Sequence, residues 1–245
     1  MKMKNRKDES MKFRKIFIVI LGIFSMICLC GCGKIIINNS SKEDGKQVDK
    51  VLNNNIFSNV IVNSETSNIV IKTGKKYQVR YQGGKKFLPK TENKNGQLII
   101  KQEGSSKGNP VITITIPKGT NLTQADLKSE EGDIAVNNIV IKTAQFNTEE
   151  GDVDIANSSI NGGQVSSEEG DVSLKDVLEK SGMTIKAEQG DVTVSDNNFK
   201  GYDLTTEEGS ISVNGHSYAS STYKKKVHEK NVLVVKSEEG DITVK

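Results

Sequence analysis

A tetrapeptide, Glu-Glu-Gly-Asp, returns along this chain at nearly constant spacing, and that spacing constrains the fold more than any other feature. It is intact at 130–133, 149–152, 168–171 and 238–241, and altered at Glu188-Gln189-Gly190-Asp191 and Glu207-Glu208-Gly209-Ser210. The glycines at 132, 151, 170, 190, 209 and 240 are separated by 19, 19, 20, 19 and 31 residues. Self-similarity at a period near twenty marks a stacked-repeat architecture, in which each unit buries its apolar face only against its neighbours.

The flanks say what one repeat does. The second and fourth residues after each glycine are always apolar: Ile134 and Val136, Val153 and Ile155, Val172 and Leu174, Val192 and Val194, Ile211 and Val213, Ile242 and Val244. Five residues before the glycine stand Leu127, Phe146, Val165, Ile185, Leu204 and Val235. This is period two, a strand with one buried face on either side of the acidic turn. A third apolar position follows at Ile139, Ile160, Val177 and Phe199, as an anchor that closes the coil. Glycine suits the turn itself, and Asp-Asn-Asn at 196–198 and Asn-Gly-Gly at 161–163 supply another corner. Stacked coils predict an internal ladder of Ile134, Val153, Val172, Val192 and Ile211 at about 4.8 Å per step.

Upstream, 59–63, 68–72, 77–82, 97–102 and 111–116 read as short strands separated by polar turns, with Pro117-Lys118-Gly119 ending the last. No stretch carries a helical stripe; 174–180 comes nearest and is too short to stand alone. The expected fold is all-β, a β-solenoid or β-roll of 19–20-residue coils with an amino-terminal β-rich cap. The step of 31 exceeds the period by twelve residues, read as a protruding loop before a final coil, 232–244, completes the stack. That loop holds Tyr218, Tyr223, Lys224, Lys225, Lys226, His216 and His228, and solenoid insertions are common contact sites.

The first residues read as an address. A basic run from Lys2 to Lys15 precedes an apolar stretch, 16–29, the pattern of a secretory signal. It closes on Leu29-Cys30-Gly31-Cys32, which resembles the bacterial lipobox, whose cysteine is lipidated and becomes the first residue; Cys32 is the matching position. The alternative is an uncleaved helix over 16–32, at the short end of what spans a bilayer. Both readings place the remainder on the extracytoplasmic face of the cell membrane. All three cysteines lie in this segment, so no disulfide framework or thiol nucleophile is expected in the folded part. The expected organisation is a signal peptide over 1–31, a flexible tether over 32–55, a β-rich cap over 56–120 and the repeat solenoid over 121–245.

The near-neutral total of +3 hides a strong polarity. Residues 34–120 carry 15 Lys and Arg against 6 acids, whereas residues 121–245 carry 12 against 23. Export and the lack of interleaved aromatics argue against nucleic acid. Attraction to anionic lipid headgroups or wall polymers is the functional alternative to a solvated surface that keeps edge strands from pairing.

The sharpest chemical candidate is calcium, since stacking puts Asp133, Asp152, Asp171 and Asp191 in one row. Against it, the Gly-Gly-x-Gly-x-Asp nonapeptide of calcium β-rolls is absent, and Gln189 and Ser210 interrupt the acidic rows. Catalysis finds less support. There are only two histidines, no zinc-binding pair and no nucleophile elbow, and the turn repeat accounts for the carboxylates.

The Ser/Thr-Glu-Glu-Gly-Asp-Val/Ile units, the 111–119 strand ending in Ile-Pro-Lys-Gly, and the terminal Val-Lys-Ser-Glu-Glu-Gly-Asp-Ile-Thr-Val together resemble the bacterial putative-adhesin β-strand repeat family over 56–245. The resemblance implies a β-solenoid displayed at the surface, with adhesion or envelope-stress association, and it carries over no catalytic residue or cofactor. The function expected is therefore a lipid-anchored, non-catalytic scaffold that binds a wall polymer or a protein. A regulatory stress accessory and a polysaccharide-acting enzyme are the alternatives.

Overall fold

The computed structural model describes residues 45–245. The signal segment, Cys32 and the first part of the expected tether lie outside them. In chain order the strands are β1 Gln47–Asn53, β2 Asn59–Ser64, β3 Asn68–Gly74, β4 Gln78–Gly84, β5 Lys90–Lys94, β6 Gln97–Gln102 and β7 Val111–Pro117. The repeats follow as β8 Asn121–Ser129, β9 Ile134–Asn137, β10 Val140–Glu150, β11 Val153–Ile160, β12 Gly163–Glu169, β13 Val172–Glu179, β14 Met183–Gln189 and β15 Val192–Ser195. The last are β16 Gly201–Glu208, β17 Ile211–Val213, β18 His216–Tyr218, β19 Thr222–Lys225, β20 Val232–Glu239 and β21 Ile242–Val244. Residues 174–179 of the 174–180 stretch fall in β13, where Leu174 and Val177 are buried on successive sides of the coil rather than on a helical stripe.

Each glycine corner bends the chain from one sheet into the next. The residues before the corner form a parallel ladder in the order β6, β2, β8, β10, β12, β14, β20, β16. Those after it form a second, in the order β7, β3, β9, β11, β13, β15, β21, β17. A third side forms where the start of β10 pairs with the start of β8 and the end of β11, and β11 with the end of β13. The result is a parallel β-solenoid of eight rungs, roughly 34 Å long at about 4.8 Å per step. Its axis is filled by the predicted positions of the two ladders, Leu127, Phe146, Val165 and Ile185 from one and Ile134, Val153, Val172 and Val192 from the other, all buried. Ile139, Ile160, Val177 and Phe199 are buried at the third side but do not form the single row expected: Val177 pairs with Ser158, whereas Ile160 lies between Ile141 and Glu179.

Rung order departs from chain order at both ends. The last coil does not complete the stack as its position in the chain implies; β20 and β21 slide between β14/β15 and β16/β17. The apolar ladder therefore runs Val192, Ile242, Ile211. The amino-terminal end mirrors this, with β2/β3 lying between the later β6/β7 and β8/β9. So much of the expected cap is solenoid rung, and only antiparallel strands cap it.

Those strands cover both open ends. At the amino-terminal end β4 pairs with β7, β1 with β4, and β5 with β6. At the other end β18 pairs with β17 and β19 with β16. The tether expected over 32–55 is thus structured from Gln47: Val48 and Leu52 pack against the core, and Asp49 ion-pairs with Arg80. The cap strands carry Lys90, Glu92 and Lys94, or Lys224 and Lys225, which suits edges that must not recruit another strand.

The glycine column sets how closely the rungs approach. A Cβ on Gly132 would stand 2.5 Å from the Ser67 carbonyl oxygen, and one on Gly151 2.7 Å from that of Gly132. Gly170, Gly190, Gly240 and Gly209 meet the carbonyls of Gly151, Gly170, Gly190 and Gly240 in the same way. Gly170→Ala is expected to cost about 1–3 kcal/mol, as overpacking does where backbone cannot yield. Gly162→Ala, whose Cβ would meet nothing nearer than 4.0 Å, should change stability by no more than about 0.5 kcal/mol. Urea unfolding of residues 45–245, which contain their own core and both caps, measures both.

Candidate functional site

The acidic corner is a hydrogen-bonded column. Each aspartate after the glycine turns Oδ1 to the backbone N–H of its counterpart on the next rung. The Asp152 N–H donates to Asp133 at 3.1 Å, Asp171 to Asp152 at 2.9 Å, Asp191 to Asp171 at 2.8 Å and Asp241 to Asp191 at 2.8 Å. Asn68 begins the column by accepting from the Asp133 N–H, and Ser210 ends it by donating both N–H and Oγ–H to Asp241. The Ser or Thr ahead of the acids works in the same column. Ser129, Thr148, Ser167 and Thr206 are buried, and their hydroxyls donate to the carbonyls of Ser67, Gly132, Gly151 and Gly240.

Asp133, Asp152, Asp171 and Asp191 are therefore brought together as expected, with one oxygen of each engaged by an N–H on the next rung. Among the described residues no group of three or more His, Cys, Asp or Glu side chains is arranged to hold a metal ion. Burial, and then the charge of neighbouring aspartates, pushes the Asp152 and Asp171 carboxyls above their ordinary range. The flanking glutamates point outward as a solvated rim, with Lys128 reaching Glu149 at 3.1 Å.

The column contains a rung that the acidic motif alone does not reveal. Ser64-Glu65-Thr66-Ser67-Asn68 occupies the place of Ser-Glu-Glu-Gly-Asp. Its flanks fit: Val62 lies five before Ser67, and Ile69 and Ile71 lie two and four after. Serine is tolerated because no glycine carbonyl lies on its outer side. Gln102 fills that space instead, accepting from the hydroxyls of Ser64 and Ser67.

The Tyr/Lys segment is a lid more than a loop. Tyr218 lies in β18 and Tyr223 in β19, their ring centroids 4.6 Å apart. Tyr223 packs on the core, Lys224 is held by Asp203 at 3.1 Å, and Lys225 and Lys226 remain exposed. The strands form because the chain must return to insert its last rung.

The return is pinned by a buried polar knot at Glu179, which is 1% exposed. Its carboxylate accepts from the N–H groups of Ser181 and Gly182 at 2.9 and 2.7 Å. Its backbone N–H donates to Asn198, and its carbonyl accepts from Asn198 and Asn231. Asn231 also donates to the Asn198 carbonyl at 3.1 Å, so one side chain ties the returning strand to the rung it joins. Burial raises the Glu179 carboxyl above its ordinary range. A shallow groove of about 430 Å³ lies on the third side across Asn138, Asn157, Asp176 and Asp196. All four have positive φ near 50–57°, a conformation that Asn and Asp tolerate better than most residues.

These ladders and caps define a parallel β-solenoid whose aspartate column is engaged by the backbone of the stack. The chain belongs to the DUF4097 Toastrack family, whose profile matches residues 57–224. Solved structures that resemble it include a putative adhesin from Bacteroides fragilis, at 15% identity and a TM-score of 0.45, covering 82% of this chain and 98% of that one. A putative cell adhesion protein from Clostridium sporogenes is 16% identical with a TM-score of 0.39, covering 81% and 98%. A putative lipid binding protein from Parabacteroides distasonis is 12% identical with a TM-score of 0.32, covering 82% and 98%. No curated protein sequence matches the chain.

Removing one acceptor from the aspartate column tests its role. Asp171→Ala, which leaves the Asp191 N–H without its partner, is expected to lose about 0.5–1.5 kcal/mol. Asp171→Asn keeps an acceptor and removes the charge. Because the folded-state pKa is raised, the contribution of Asp171 is fully present below its ordinary value of 3.8 and is lost as pH rises through the folded value. Asp171→Asn should therefore be more stable than wild type at neutral pH, and the difference should close as pH falls toward about 4. Urea titrations at several pH values read this directly.

Proposed function

We propose that the chain is an exported, non-catalytic binding scaffold, held at the extracytoplasmic face of the membrane through Cys32 and contacting a wall polymer or protein at its far end. The observation that carries this reading is the engagement of the repeated aspartates, and of the hydroxyls of Ser129, Thr148, Ser167 and Thr206, by the backbone of the stack. The aspartates accept N–H groups, the Ser/Thr hydroxyls donate to carbonyls, and the buried Glu179 holds a chain return. Such groups build a rigid body and leave recognition to its ends and faces.

Polarity along the rod supports the arrangement. The described chain begins at the end capped by β1, and the strands of Tyr218 and Tyr223, paired with β17 and β16, close the opposite end, roughly 34 Å away by the rung spacing. An amino-terminal anchor would then present Tyr218, Lys225 and Lys226 outward. Tyrosine is among the residues that carry binding energy in contact patches, and the two exposed lysines beside it add a charge that an anionic partner would meet.

Two measurements test this. Cys32→Ala should abolish lipid labelling and shift the protein from the membrane fraction to the medium, whereas an uncleaved helix would leave both unchanged. Tyr218→Ala combined with Lys225→Glu should lower binding of purified residues 45–245 to isolated cell envelopes by roughly fivefold, the effect of a contact worth about 1 kcal/mol. Unchanged binding would remove these strands from the contact surface.

A further inference from the structure

The amino-terminal cap carries a charge pattern that the fold does not explain. Residues 45–57 and 74–88, which make β1, β4 and their turns, hold seven Lys and Arg against one acid, Asp49. Arg80 neutralises that acid. Lys46, Lys50, Lys75, Lys76, Lys85 and Lys86 are all exposed.

Pairing gathers them on one end of the rod. The Lys85 N–H donates to the Lys46 carbonyl at 2.9 Å, so Lys46, Lys85 and Lys86 cluster at the start of β1. Lys50 lies midway, opposite Tyr81 of β4. At the other end of β1 the Phe57 ring meets Tyr77 edge-on at 5.1 Å, bringing the turn at 54–57 beside Lys75 and Lys76. The seven residues of β1 span roughly 23 Å, so the cations line the whole cap.

Two apolar side chains stand exposed on the same cap. Val51 is 46% exposed and Ile56, in the turn beside Lys75 and Lys76, is 74% exposed. Edge protection accounts for a lysine on a free strand, but it does not call for an exposed isoleucine. Cations surrounding an exposed aliphatic group match an anionic bilayer surface, where lysines meet headgroups and the aliphatic enters the interface.

We propose that this cap is a docking face for anionic phospholipid, so that the solenoid rests with its amino-terminal end on the membrane and the Tyr218 hairpin away from it. Charge complementarity, and the position of residue 45, the first described, at this same end, select a lipid surface over a wall polymer. The orientation rests on the anchored reading given above, but the attraction itself does not need the anchor.

The test uses residues 45–245 without any lipid, so a failure here is distinguishable from a failure of Cys32 acylation. Sedimentation is measured with vesicles of phosphatidylcholine alone and with 30% phosphatidylglycerol. The protein should bind the anionic vesicles, lose binding as salt rises and the surface potential is screened, and leave phosphatidylcholine unbound. Lys75→Glu, Lys76→Glu, Lys85→Glu and Lys86→Glu together should weaken binding at least tenfold, and Ile56→Ser should weaken it at full charge. Reversal of the same number of lysines on the middle rungs, Lys142, Lys175, Lys186 and Lys236, all exposed, should change nothing, and melting temperatures of all variants report folding. Absence of binding, equal binding to both vesicle types, or an equal loss from the middle-rung reversal would overturn the proposal. Binding to purified anionic wall polymer but not to vesicles would overturn it in favour of the wall.

Discussion

Everything in this structure depends on how closely one rung can lie on the next, and that distance is set at the glycine column. A side chain there would collide with the carbonyl of the adjacent glycine, so its absence lets six corners nest. Once nested, the rungs deliver an N–H to the aspartate of the neighbour, and Ser129, Thr148, Ser167 and Thr206 deliver a hydroxyl to the carbonyl of the adjacent corner. The apolar ladders then close around a dry axis. Glycine, aspartate and the preceding Ser or Thr form one device: the first permits approach, and the others satisfy the backbone groups that approach would otherwise strand.

A parallel stack always leaves two open ends, and this chain resolves both in related ways. It runs past the terminal rung, turns back through antiparallel strands, and threads a later or earlier segment between existing rungs. At the carboxyl end Asn231, Asn198 and Glu179 hold that threading in place. At the amino end Phe57, Tyr77, Val48 and Leu52 close the core beneath β1. The ends are thereby freed from pairing with other strands, and their outward faces differ in chemistry: lysines with exposed aliphatics at one, a tyrosine pair with lysines at the other.

The site was less legible than the fold because its residues answer to neighbours in space. Asp133, Asp152, Asp171 and Asp191 do align, but a row of acids in sequence cannot tell whether its oxygens face cations or backbone donors. Tyr218 and Tyr223 were visible as an excess over the period, yet whether that excess protrudes or caps depends on where β20 inserts. The rung at Ser64–Asn68 had its Val62, Ile69 and Ile71 in place and was hidden only because Ser and Asn stood for Gly and Asp. The position in the stack, with no glycine carbonyl outside it, is what permits that exchange.

By itself the sequence determined the coil: its length, its two period-two strands, the glycine corner between them and the apolar anchor that closes it. These are local, and each is written within some twenty residues. The tertiary structure decided the order of the rungs, the conversion of 47–53 from tether to cap, and the partners of the aspartates. A repeat is compatible with every neighbour that shares its pattern, so pattern cannot rank one stacking order above another. That choice falls to the few groups that are not repeated, Asn231, Asn198, Glu179 and the cap aromatics, whose partners are distant in sequence and adjacent only in the folded chain.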